Sequence, residues 1–198
     1  MLVQPVTLTG AHVQLVPMQP EHADALWQAA QDESIWRWTL SRIQSRADVD
    51  QYIAYALEQQ ALGAQLPFVT VSRATGEIVG STRFDEITPA HRRVEIGWTW
   101  IAPRWQRTAI NTEAKFLMLR HAFEIWQCVR VQLKTDALNE RSQRAIARLG
   151  AVREGVLRSQ YIMPDGRRRD SVYFSILDTE WTAVKAHLER LLARYGDG

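Results

Sequence analysis

A single cysteine, Cys128, is all the thiol this chain carries. Neither an intramolecular disulfide nor a cysteine-rich zinc site can be built from it, and its apolar neighbours predict a place in the core. No stretch approaches the roughly 18 consecutive apolar residues that cross a bilayer. The first residues lack the basic segment, apolar run and small-residue cleavage site of a secretory signal, so the expectation is a cytoplasmic protein with no membrane partner. Charge of one sign is missing too: 24 basic against 22 acidic residues give a net of +2, too even to argue for nucleic acid. Internal repeats, low-complexity tracts and linkers are absent, which predicts one domain over residues 1–198, long enough for a sizeable core.

What the chain has is tryptophan, eight in all, and one stretch around which the rest is arranged. From Val94 to Trp100, Val94, Ile96, Trp98 and Trp100 alternate with Glu95, Gly97 and Thr99, the period of a strand with two faces. Pro103 stops it. From Ala109 to Trp126 the apolar positions fall on both sides of a helix, the pattern of a buried one. A helix that starts straight after a strand points unpaired N–H groups and its positive dipole end into one loop, a ready site for phosphate. Arg104, Arg107 and Thr108 crowd that loop. Solvated arginines in an ordinary connection are the other reading, and spacing alone does not choose.

Before this unit, the residues from Val6 to Val16 read as a first strand or hairpin arm, and Pro20 opens a helix with Ala23, Leu26, Trp27 and Ala30 on its apolar face. Trp36 and Trp38 follow in an irregular segment, where indoles either plug the core or line a pocket. Ser45 and Asp48 form a capping box for a helix ending near Gly63. Strands at 67–71 and 78–84 complete an antiparallel meander with the strand from Val94. After the central helix, Val129 to Thr135 alternates as a strand, parallel to the one before the helix. Asn139 stands at a helix N-cap with Ser142 three residues on, a last hairpin turns at Pro164-Asp165-Gly166, and Trp181 to Tyr195 forms an amphipathic helix.

With these elements placed, the chain resembles the GCN5-related N-acetyltransferases (GNAT), and within them the branch of the RimJ and RimL protein N-terminal acetyltransferases. The likeness spans nearly the whole chain. It rests on Gln106-Arg107-Thr108-Ala109-Ile110-Asn111 at the phosphate loop, Asn139-Glu140-Arg141-Ser142, Leu149-Gly150-Ala151, Glu154-Gly155-Val156-Leu157-Arg158 and Asp165-Gly166, in that order. The resemblance implies an α/β (α+β) fold: a mixed, mostly antiparallel seven-stranded sheet, splayed between its fourth and fifth strands and flanked by helices. It further implies acetyl transfer from acetyl-CoA to a primary amine, a protein N-terminus or a small molecule, by direct attack in a ternary complex. A monomer or homodimer is expected.

The same resemblance places the pantetheine arm along Trp98, Thr99, Trp100 and Ile101, and the pyrophosphate on the backbone from Gln106 to Asn111. Ala109 and Asn111 stand where the family most often has glycine, or glycine and alanine. Alanine fits if position 109 is right-handed helical, and asparagine tolerates unusual dihedrals. Glu95 is the candidate base, acting through a water and bound to the acceptor side with Trp36 and Trp38; the competing role is an ion pair with Arg93 or Arg83. Ser142 is the candidate contact to the CoA sulfur and its proton donor, in place of the tyrosine many members carry, since no tyrosine occurs between Tyr55 and Tyr161. Asn139 would bond the pantetheine. Plain helix capping by Asn139 and Ser142 is the alternative. A non-catalytic acyl-CoA-binding or regulatory module with the same fold, or a nucleotide-binding regulator, are the rival functions.

Overall fold

The computed structural model describes residues 1–195. Its eight strands form one sheet in the order β1-β2-β3-β4-β5-β6-β8-β7: β1 Leu8–Thr9, β2 Val13–Pro17, β3 Leu66–Ser72, β4 Ile78–Thr88, β5 Arg93–Ile101, β6 Arg130–Asp136, β7 Val152–Ile162 and β8 Arg168–Leu177. One strand more than expected arises because the first arm folds on itself at Gly10, so β1 and β2 pair with each other. The fourth and fifth strands of the expected sheet are therefore β5 and β6. All neighbours run antiparallel except that pair, which is parallel.

Five helices cover the two faces: α1 Ala23–Ala29, α2 Arg46–Ala61, α3 Ala109–Arg120, α4 Glu140–Arg148 and α5 Asp178–Ala193. Leu26, Val49, Ile53 and Ala56 of α1 and α2 pack with Val69 and Trp100 on one face. On the other, α3, α4 and α5 bury Ile110, Leu117, Ile146, Trp181 and Leu188 against Phe68, Phe84, Val94 and Ile96. Ten of the 12 residues of α3 are buried, which is why its sequence is apolar on nearly every side. The capping box of Ser45 and Asp48 opens α2 as its residue types dictate.

The even alternation expected along β5 breaks at Trp98. Ser81 pairs with Trp100 but Arg83 with Gly97, so β5 holds one residue more than β4 across this span, and Trp98 takes a φ of 54°. A bulge of this kind turns the side chains that follow to the opposite face. Val94 and Ile96 face α3, whereas Trp98 and Trp100 pack on the α1 and α2 side with Glu95, and Thr99 turns toward α3. The four residues do not share one face.

Candidate active site

The parallel pairing of β5 with β6 covers only Arg93, Val94 and Glu95 against Arg130, Val131 and Gln132. Beyond it the strands part, leaving the edge of β5 from Ile96 to Ile101 without a β6 partner. Both strands lead into helices at this end, so the first turns of α3 and α4 flank one cleft. Openings at the carboxyl ends of parallel strands are where α/β sheets take ligands. Arg141 of α4 donates to Gln106 Oε1 at 2.8 Å, and Gln106 Nε2 donates to the Ile101 carbonyl at 2.9 Å, so one pair of side chains ties both walls together.

The loop into α3 solves its backbone problem without the expected glycines. Arg107 carries the left-handed conformation, φ 63°, while Ala109 is the first residue of a right-handed helix. Thr108 caps that helix, its Oγ1 accepting from Ile110 N–H at 3.3 Å and donating to the Trp105 carbonyl at 2.7 Å. The next N–H groups of the first turn have no acceptor inside the helix. Asn111 follows on the same turn with a buried, unpartnered Oδ1. An open groove of about 600 Å³ borders the loop on the side away from Glu95, lined by His12, Arg73, Arg107, Thr108 and Tyr195 among others.

Glu95 sits at the last parallel pair before the strands part and is 1 % exposed. The expected partners, Arg93 and Arg83, do not hold it. Lys134 does, at 2.9 Å, with Gln132 Nε2 donating to the same oxygen at 3.0 Å. These two side chains also reach Glu86, at 3.1 and 3.0 Å, so two carboxylates are clipped by one ammonium and one amide. Glu86 gets there through a left-handed φ of 46° in a second irregularity of β4. Burial pushes the Glu95 carboxyl above the usual carboxylate range, Lys134 pulls it back, and Glu86 adds to the rise. Arg93 instead lies 3.6 Å from Glu86, and Arg83 is fully buried between the rings of Tyr52 and Trp98 with Gln65 as its acceptor.

Asn139 is the N-cap of α4: its Oδ1 accepts from Ser142 N–H at 3.1 Å. The cap uses the backbone of Ser142 and leaves its hydroxyl outside that interaction. Trp36 is a core residue, 7 % exposed and 5.2 Å from the Trp100 ring, whereas Trp38 is half-buried between Arg37 and Arg167. Trp36 also walls a groove of about 280 Å³ between the segment joining α1 to α2 and the β7–β8 turn. Of the arginines that follow that turn, Arg167 is partly exposed and pairs with buried Asp136, Arg168 is exposed, and Arg169 is buried beside Ser171. Arg144 pairs with Glu140 on the surface, and Arg148 reaches Thr112 and Tyr195.

Lys134, Gln132 and Glu86 were not singled out from the sequence. The signal existed for the first two, which alternate with buried Val131 and Leu133 and so must share one face of β6 with the neighbouring Glu95. Lys115 was missed as well. It is 5 % exposed inside α3 and donates to Thr99 Oγ1 at 2.6 Å and Thr82 Oγ1 at 3.0 Å.

A family model described as an acetyltransferase (GNAT) domain matches residues 12–152. The chain belongs to the GNAT acetyltransferases. Among GNAT relatives, it is 31% identical over 110 residues to YdaF of Bacillus subtilis (strain 168), provisionally named a ribosomal N-acetyltransferase. That alignment covers 56% of this chain and 59% of YdaF, so the chain spans less than two thirds of this curated relative. A crystal structure from T. thermophilus, provisionally called an acetyltransferase, is 35% identical with a TM-score of 0.88, covering 97% of this chain and 100% of that one. Mycobacterium smegmatis RimJ, in complex with CoA-disulfide, shares the GNAT fold at a TM-score of 0.81 and 24% identity, over 96% of this chain and 95% of that one. Among the described residues no helix is long and apolar enough to cross a membrane.

Proposed function

We propose that this chain is one acetyltransferase domain that moves the acetyl group of acetyl-CoA to a primary amine, a protein N-terminus or a small molecule, by direct attack in a ternary complex. The observation that carries this reading is the placement of Glu95, a buried carboxylate at the point where the parallel strands separate. The free edge of β5 offers backbone groups to an extended amide-bearing arm, the way a sheet edge accepts a strand, along Trp98, Thr99, Trp100 and Ile101. The capped start of α3 suits a pyrophosphate on the backbone from Gln106 to Asn111. Ala109 does not obstruct it, because the unusual dihedral falls on Arg107. RimJ with its bound CoA derivative supports the same choice of donor.

In this reading the acceptor amine approaches from the side of Trp36, Trp38 and Glu95. Glu95 takes a proton from it through a water, which a carboxyl raised by burial does at less acidic pH than an ordinary one. The amine attacks the thioester carbonyl, whose developing charge meets the N–H groups of β5. Asn139 and the Ser142 hydroxyl, on the opposite wall, contact the pantetheine and the sulfur. Cys128 takes no part: burial raises its thiol to about 11, far from the thiolate a covalent intermediate needs.

The engagement of Glu95 by Lys134 and Gln132 favours one other reading, a non-catalytic acyl-CoA-binding module, since a carboxylate paired with an ammonium is a weaker base. Thermal unfolding with acetyl-CoA, with ADP as control, tests the donor site; a ligand at a hundred times its dissociation constant stabilises by ~2.7 kcal/mol. A shift with acetyl-CoA and little with ADP is expected, and CoA release in the presence of peptides with free N-termini then separates enzyme from binder. No shift with either ligand overturns both readings.

A further inference from the structure

The central helix hides an amine that nothing so far employs. Lys115 lies on α3 directly beneath β4 and β5, 5 % exposed, with the Thr82 and Thr99 hydroxyls as its hydrogen-bond acceptors. The groups that face it are Thr82 from β4, Thr99 from β5 and, beside Thr82, Met118 from α3; none of these titrates in the working range. Glu113, the nearest carboxylate along the helix, is committed to the turn between β1 and β2. Burial without a compensating charge is the sole influence on the Lys115 amine and brings it to about 7. An apolar side chain at this position would avoid that cost. The threonines do not need the lysine, since their hydroxyls lie 2.8 Å apart and each can donate to the Gly97 carbonyl.

Thr99 is what connects this amine to the cleft. It is half-buried, lies on the part of β5 that has no β6 partner, and is turned toward α3 by the bulge at Trp98. With Lys115 donating to its oxygen, the Thr99 hydroxyl still carries a proton to give, whose acceptors within the fold are the Gly97 carbonyl at 3.3 Å or the Thr82 oxygen. We propose that Lys115 is the proton source for the departing CoA thiolate, acting through the Thr99 hydroxyl. The proposal rests on the acetyl-transfer reading above.

As the carbon–sulfur bond of the thioester breaks, its electron pair stays on sulfur. Sulfur takes the Thr99 hydroxyl proton, Thr99 takes one from the Lys115 ammonium, and Lys115 is left as a neutral amine. The proton lost by the acceptor amine leaves by way of Glu95 to solvent. Lys115 regains its own from solvent after CoA departs, so the reaction releases one amide and one thiol with no proton unaccounted for. Ser142 can hydrogen-bond the sulfur, but among the described residues no titratable side chain hydrogen-bonds its hydroxyl, and its one contact to the helix cap is through the backbone.

The test uses the full chain with Lys115→Met, Thr99→Val and Thr99→Ser, followed by melting temperature, acetyl-CoA binding, and CoA thiol release from acetyl-CoA with pooled free-N-terminal peptides. Lys115→Met is expected to melt higher than the parent and to bind acetyl-CoA equally. Its kcat should fall at least tenfold, and the decline of kcat above pH 7 expected of the parent should be absent. Thr99→Val should lose kcat similarly and Thr99→Ser recover it. Parental kcat and pH profile in Lys115→Met overturn the proposal while leaving the acetyl-transfer reading standing. So does a kcat loss that accompanies a lower melting temperature with the alkaline decline intact, which marks a structural lysine. A parent protein that releases no thiol overturns both.

Discussion

The carboxylate of Glu113 occupies the space that a side chain on Gly10 would need: a Cβ there would stand 2.4 Å from the Glu113 Cδ. The same carboxylate accepts the N–H groups of Ala11, His12 and Val13 at 2.6 to 2.8 Å. The turn between β1 and β2 is thereby locked to the first turns of α3, the helix that shapes the proposed donor site. Hydrogen bonds to a charged group contribute about 1.5–3 kcal/mol each, and the turn's donors would be left partly buried without it. Glu113→Ala should therefore destabilise the fold by roughly 3 kcal/mol, and Gly10→Ala by a comparable amount, in urea unfolding. A change within ~0.5 kcal/mol, ordinary for a surface position, would show that the contact is dispensable.

Glu95 and Lys134 make a paired prediction. Glu95→Gln keeps the shape and the bond to Lys134, so acetyl-CoA binding should persist while turnover falls about 10²–10⁴-fold, the usual contribution of a general base. The loss should be greatest below the pH at which the free amine deprotonates by itself. Lys134→Met removes the group that opposes the effect of burial on Glu95. A base works only when deprotonated, so the acidic limb of kcat/KM should move to higher pH. An unmoved limb would mean that another group titrates there.

Asn139 and Ser142 should separate cleanly. The cap is made by the Asn139 side chain and the Ser142 backbone, so Asn139→Ala should cost about 1 kcal/mol of stability. Ser142→Ala should leave stability within ~0.5 kcal/mol and lower kcat. Should Ser142→Ala instead lower the melting temperature with kcat intact, Ser142 would have no place in the chemistry.

Lys115 also writes itself into the pH dependence of stability. Its amine is held near 7 in the fold and returns to 10.5 when unfolded. Between those values the unfolded chain binds the extra proton, so stability rises with pH across this window through Lys115, is flat in this term below 7, and levels off above 10.5. Urea unfolding from pH 7 to 10 should show that slope in the parent and lose it in Lys115→Met. Equal slopes in the two proteins would place the Lys115 amine in contact with water.

Much of the architecture was legible because it follows from local patterns. The hairpins, the apolar central helix, the Ser45 and Asn139 caps and the strand, loop and helix unit from Val94 each rest on residues within a few positions of one another. Glu95 was legible as a candidate from its place on the strand that the resemblance assigns to the thioester, on the face opposite Val94 and Ile96, although an ion pair with Arg93 or Arg83 competed for it. Its partner was not singled out: alternation put Lys134 on the right face of β6, but Lys134 lies 39 positions away and the register of the parallel pairing of β5 with β6 is what sets the two side by side.

What the sequence determined by itself is the order and type of the elements, because hydrophobic period, caps and turn residues act over short range. The tertiary structure alone decided three things. Pairing with β4 forced the extra residue at Trp98, turning its indole to Arg83 and Thr99 to Lys115. A lysine in a helix buried on nearly all sides became an amine without water, where its stem would otherwise have reached the surface. And the strained turn at Glu86 brought a second carboxylate to Lys134. Each depends on which strand lies beside which, and on how much water their contact excludes, quantities that no local stretch of residues contains.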